Sequence, residues 1–98
     1  MNESLFSEEY IEEKRIKREK LEIQKGVFYT GEWLDGQMDG YGVLQDQGFS
    51  VYEGFFKKGS AHGFGSIIYE NGDHYVGDWY SGAMHGKGCY VTADGTEF

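Results

Sequence analysis

The sequence predicts an all-β protein: an elongated single-layer array of three β-hairpin repeats behind an N-terminal α-helix. Two observations carry this expectation. A motif recurs every 23 residues, from Tyr29 to Tyr52 to Tyr75 and on to Phe98. All 16 glycines fall between Gly26 and Gly95, there is no proline, and residues 1–25 carry no glycine. A unit this small cannot bury a face alone, so it must stack on its neighbours.

The elements follow in order. Residues 1–20 read as a helical segment that Ser4 or Ser7 can cap. Glu8, Glu9, Glu12 and Glu13 precede Lys14, Arg15, Lys17, Arg18 and Lys20, an order that suits a helix dipole. Glu13 and Lys17 form a favourable i,i+4 pair. Its apolar residues do not make one stripe, so a solvated helix and a docking helix both remain open.

The repeat array is expected over 21–98. Subtracting the period from Ile67–Gly72 lands on Leu21–Gly26, so 21–26 reads as the last strand of a degenerate leading half-repeat. Full repeats then cover about 27–49, 50–72 and 73–95, with a fourth beginning at 96–98. First strands are expected at Phe28–Leu34, Val51–Lys57 and His74–Tyr80, and second strands at Tyr41–Asp46, Phe64–Tyr69 and Lys87–Thr92. Gly36 through Gly40 and its counterparts would make the hairpin connections. Asn71-Gly72 and Asp94-Gly95 are turn dipeptides between units. Unit one has Gly48 one place early and Phe49 at the expected position, so its turn should differ.

Tyr29, Gly31 and Trp33 share one strand face, as do Tyr52, Gly54, Phe56 and Tyr75, Gly77, Trp79. These nine residues make two aromatic rows with a glycine furrow between them, and Tyr41 and Phe64 add rings. Two readings stay open. The rows are the stacking core of the sheet, or the furrow is a groove for a peptide or helix. The opposite face varies between units, which suits either partner specificity or drift on a solvated face. The six glycines of the Gly-x-Gly pairs, from Gly40 and Gly42 to Gly86 and Gly88, imply a steric or dihedral need.

Chemistry is sparse. His62 and His85 share one repeat position with Asp39, so hairpin stacking explains them better than zinc, and no metal or cofactor is expected. Ser60, Ser66 and Ser81 carry no nucleophile motif, and the glycine spacing is not a phosphate loop, so no enzymatic activity is expected. Residues 26–98 hold ten acids against Lys57, Lys58 and Lys87, a net charge of −7 without arginine. That balance argues against nucleic acid and against direct binding to anionic membranes, and favours a basic protein partner. The single Cys89 and the lack of a signal sequence point to a cytoplasmic setting. The last strand would offer an open edge. Another copy of the chain or another repeat protein would cover it edge to edge, unless Thr96, Glu97 and Phe98 fold back as a cap.

The pattern Tyr-x-Gly-x-Trp-x-x-Gly-x-x-x-Gly-x-Gly resembles the MORN (membrane occupation and recognition nexus) repeat. Tyr29–Gly36 and Tyr75–Gly82 carry the likeness, continued by His62–Gly65 and His85–Gly88. The resemblance implies a non-catalytic scaffold or structural subunit of a cytoskeletal assembly, ciliary or axonemal among them. The alternatives it implies are a phospholipid-binding membrane tether and a regulatory repeat segment of a larger enzyme.

Overall fold

The computed structural model describes residues 15–98. Seven strands form one antiparallel sheet in which every strand pairs with its sequence neighbours. They are β1 (Ile16–Gln24), β2 (Val27–Leu34), β3 (Gln37–Asp46), β4 (Ser50–Lys57), β5 (Ser60–Tyr69), β6 (His74–Tyr80) and β7 (Ala83–Val91). No helix occurs among the described residues.

The N-terminal expectation needs correction. Residues 16–20, expected to end a helix, belong to β1. The rest of that segment, residues 1–14, lies outside the described residues. The half-repeat strand expected at 21–26 is real but longer, reaching back to Ile16. A dipole and an i,i+4 pair contribute only tenths of a kcal/mol (about 0.3–1 at most). The outer backbone of β2 needs a ladder partner, and that need outweighs them. The dense Lys, Arg and Glu content of β1 suits an edge strand as well as it suits a helix.

The hairpin connections are also shorter than expected. Asp35-Gly36, Lys58-Gly59 and Ser81-Gly82 turn the chain in two residues, with φ of 51° and 78°, 50° and 88°, and 48° and 88°. Positive φ at both positions is the type I′ turn, whose twist matches that of the strands. The second strands therefore start at Gln37, Ser60 and Ala83. Gly40, Gly63 and Gly86 lie inside strands, at φ of 98°, 96° and 66°. They shape an irregularity in each hairpin, where pairing jumps from Gly31↔Gly42 to Trp33↔Met38, with the same jump at Gly54/Phe56 and Gly77/Trp79.

The turns between units differ as the shifted glycine implied. In both, a backbone N–H three residues on closes the turn, from Phe49 to Asp46 O at 3.0 Å and from Gly72 to Tyr69 O at 2.9 Å. Gly48 has φ 75° at the third position of its turn, a type II feature, whereas Gly72 has φ 98° at the fourth.

At the C-terminal edge Thr96–Phe98 fold back along the end of β7. Phe98 N donates to Tyr90 O at 2.8 Å, Thr92 N to Thr96 O at 2.9 Å, and Glu97 bridges Val91. The cap that stood as the alternative to an open edge therefore forms, over Tyr90–Thr92. Among the described residues it leaves Ala83–Cys89 without a strand on the outer side, and all seven are exposed.

Candidate functional site

Alternation puts one set of rings on a core face. Tyr29, Tyr52, Phe56, Tyr75 and Trp79 are buried, and Trp33 is half-buried against them. They form one continuous chain of edge-to-face pairs. Ring centroids lie 5.2 Å apart for Trp33–Tyr29, 5.1 Å for Tyr29–Phe56 and 4.9 Å for Phe56–Tyr52. The chain continues at 5.1 Å for Tyr52–Trp79 and 5.4 Å for Trp79–Tyr75. Tyr29 and Tyr52 thus each carry the large aromatic residue of the next unit. Edge-to-face pairs add about 0.5–1.5 kcal/mol each beyond area burial.

The glycine furrow is filled from within. Gly31, Gly54 and Gly77 are buried, each opposite a second glycine at Gly42, Gly65 or Gly88. The ring of Tyr29, Tyr52 or Tyr75 lies over each such pair. A Cβ built on Gly65 would sit 2.5 Å from Tyr52 Cζ, and one on Gly31 would sit 2.9 Å from the Tyr29 hydroxyl. The second glycine of Gly-x-Gly is thus a steric requirement and the first a dihedral one. Each hydroxyl donates to the carbonyl left free by the irregularity: Tyr29 to Glu32 O at 2.8 Å, Tyr52 to Phe55 O at 2.8 Å and Tyr75 to Asp78 O at 3.0 Å. Burial, aided at Tyr29 by nearby Glu32, pushes the Tyr29 and Tyr52 phenols up to about 12.

Two repeated struts tie each hairpin to the next. The turn amide of Gly59 donates to Met38 O, and that of Gly82 to Ala61 O, both at 2.9 Å. One residue earlier, Lys58 N donates to Asp39 Oδ2 at 3.1 Å, and Ser81 N to His62 Nδ1 at 3.4 Å. Asp39, His62 and His85 occupy this one position, a structural role that the 23-residue register hinted at without naming. Buried Asp39 also accepts from Arg15 Nη2 at 2.6 Å. Burial opposes its charge, but the guanidinium and the Lys58 amide prevail and hold its carboxyl below the usual range. His62 and His85 flank the Tyr80 ring at 5.0 and 5.5 Å.

Phe49 sits in a turn and Phe98 on the C-terminal cap, while the exposed rings within the strands lie on the opposite, open face. Tyr41 and Phe64, expected to extend the core rows, point there with Phe55, at 43%, 57% and 46% exposure. Tyr41 and Phe55 pair edge to face at 5.5 Å. With Val76 they line a shallow depression of about 250 Å³ over Gly54 and Gly65. Acids frame it. Glu53 accepts from the Tyr41 hydroxyl, which raises that phenol above its ordinary value, and Asp78 stands directly across from Phe64. Sequence reasoning put Tyr41 and Phe64 with the core rows and left Phe55 on the varying face, because periodicity marks what repeats: Phe55 is replaced by Glu32 and Asp78, and Lys87 breaks the row of Tyr41 and Phe64.

The MORN repeat family profile matches residues 29–48, 52–74 and 75–97. The chain belongs to the MORN repeat family. No match was found among curated proteins. The MORN repeat is a non-catalytic module that in general binds protein or lipid. In this MORN array no group of three or more His, Cys, Asp or Glu converges among the described residues. No helix there is long and apolar enough to cross a membrane.

Proposed function

We propose that this MORN array is a non-catalytic protein-binding scaffold that docks a basic segment with an apolar anchor onto its open face. The observation that carries this reading is the exposed Tyr41–Phe55–Phe64 cluster beside Glu53 and Asp78. The core-face rings are engaged with one another. The open-face rings have area to offer a partner, and the net −7 of residues 26–98 favours a cationic one. The acid excess that favours a basic peptide disfavours anionic phospholipid.

The test uses a Lys/Arg-rich peptide with a central Trp, followed by fluorescence anisotropy. Saturable binding that weakens in Phe55→Ser/Phe64→Ser and in high salt supports the reading. Binding indifferent to that double substitution overturns it. Flotation with phosphatidylserine vesicles at physiological salt would support the lipid-tether alternative instead. The finer reading, a structural subunit of a cytoskeletal, ciliary or axonemal assembly, rests on family resemblance. Tagged chain that decorates such a structure, and loses it with the same double substitution, is the expected outcome. Diffuse cytoplasmic signal counts against it.

A further inference from the structure

The repeat register states what the β7 edge is built to hold. In the interior, each first-strand Tyr carries the aromatic ring of the next unit: Phe56 on Tyr29 and Trp79 on Tyr52. One period on, Tyr75 is the next such platform. The Met38 and Ala61 carbonyls accept turn amides of the following hairpin, as do the Asp39 and His62 side chains. Met84 and His85 are their counterparts on β7. Gly88 repeats Gly42 and Gly65, which lie opposite Gly54 and Gly77 of the adjacent first strand. The ladder is already begun, since Thr96–Phe98 pair with Tyr90–Thr92 and stop short of Ala83–Cys89.

We propose that the Ala83–Cys89 edge, as residues 15–98 present it, receives in trans an extended segment of a protein partner that reads Gly-x-aromatic and then turns tightly two residues later. The glycine lies opposite Gly88, as Gly54 lies opposite Gly42 and Gly77 opposite Gly65. The aromatic ring packs edge to face on Tyr75. The turn amides donate to His85 and to the Met84 carbonyl. Main-chain bonds supply adhesion, and the ring and the turn amides supply selectivity. A second copy of this chain is a poor occupant. Its Gly-x-aromatic strands β2, β4 and β6 are each paired on both sides, and its other edge, β1, is crowded with charge. This site is separate from the open-face patch and does not depend on it.

The probe is a labelled synthetic peptide copying residues 53–69, which carries Gly54, Phe56 and the Lys58-Gly59 turn, added to the 98-residue chain. Saturable binding is expected, with slowed amide exchange over Ala83–Cys89. Phe56→Ala in the peptide should weaken it at least about tenfold, the loss of one ring's burial and its edge-to-face pair. His85→Ala in the chain should weaken it about threefold, one neutral hydrogen bond, without lowering the chain's own melting temperature. Phe55→Ser/Phe64→Ser in the chain should leave this binding intact, which separates its failure from failure of the open-face reading. The proposal is overturned by absent binding, by equal affinity for the Phe56→Ala peptide, or by protection of β1 in place of β7. Self-association of the chain that the peptide does not compete would also overturn it.

Discussion

The two edges of the sheet solve the same problem in opposite ways. β1 abandons the repeat: it has no glycine, is exposed throughout and carries five charged side chains between Lys17 and Glu22. It also slips. Strict repetition would set Lys17 and Glu19 opposite Trp33 and Gly31, but Ile16 and Arg18 stand there, and a bulge before Leu21 restores the register. The slip puts an isoleucine, in place of a lysine, across from the indole. It has a cost. Trp79 Nε1 donates to Gly65 O, 14 residues back, at 3.0 Å. Counting back 14 from Trp33 reaches Glu19, which the bulge displaces, and Trp33 Nε1 is buried without a partner among the described residues. β7 keeps the repeat intact, with Gly86 and Gly88 in place and few charges. The lesson is that one edge is shaped to refuse a neighbouring strand while the other retains every feature used inside to accept one.

The largest test of this contrast is ring removal. Trp79→Ala deletes two edge-to-face pairs and a hydrogen bond from a buried site, and should cost about 3–5 kcal/mol. Trp33→Ala, half-buried and with one ring partner, should cost about 2 kcal/mol. Chemical denaturation of both variants decides, and equal losses would erase the distinction between end and interior. Gly65→Val should cost about 3 kcal/mol, the upper range for overpacking, because strands flank β5 on both sides and the Tyr52 ring cannot retreat. Unchanged melting would show that the ring has room to move.

A smaller and sharper comparison comes from tryptophan to phenylalanine. Trp79→Phe forfeits a satisfied hydrogen bond and should lose about 1 kcal/mol, whereas Trp33→Phe removes an orphaned donor and should be neutral or stabilising. Paired thermal melts should show a lowered melting temperature for Trp79→Phe and no lowering for Trp33→Phe.

These contrasts also show what the sequence made legible. The period gave the number of hairpins, the order of strands and the identity of the core rings, because stacking repeats one geometry and so repeats its side chains. It did not give the filling of the furrow, since strand alternation tells which face Tyr52 shares with Gly54 but not that its ring lies down over Gly54 and Gly65. It misread β1, because charges at helical spacing and charges on an edge strand look alike. It overlooked the Asp39–Lys58 strut, because aspartate and histidine share only the ability to accept a hydrogen bond.

The least of the expected effects are in pH. Tyr29 and Tyr52 titrate near 12 in the fold against 10.0 when free, so their contribution is complete below about 10 and disappears as pH rises through about 12. Melts between those limits, with tyrosinate absorbance, should show unfolding and ionisation together. Asp39 is shifted the other way. Its contribution is present above its ordinary 3.8 and is lost as pH falls through its lowered native value. In Arg15→Ala, burial is opposed by fewer partners, so acid destabilisation should begin at higher pH than in the parent. Superimposable acid curves would show that the Arg15 bridge at the charged edge does no electrostatic work.

The meander has a kinetic meaning as well. Each strand packs chiefly against the strands adjoining it in sequence, so no contact waits on the closure of a long loop. Any hairpin can serve as the first to form, and growth proceeds outward in both directions one strand at a time. Opening should run the same course in reverse, with protection against hydrogen exchange highest around Tyr52 and falling toward both ends. A strand added at β7 would move that most protected point toward Tyr75, a signature readable without knowing the partner's name.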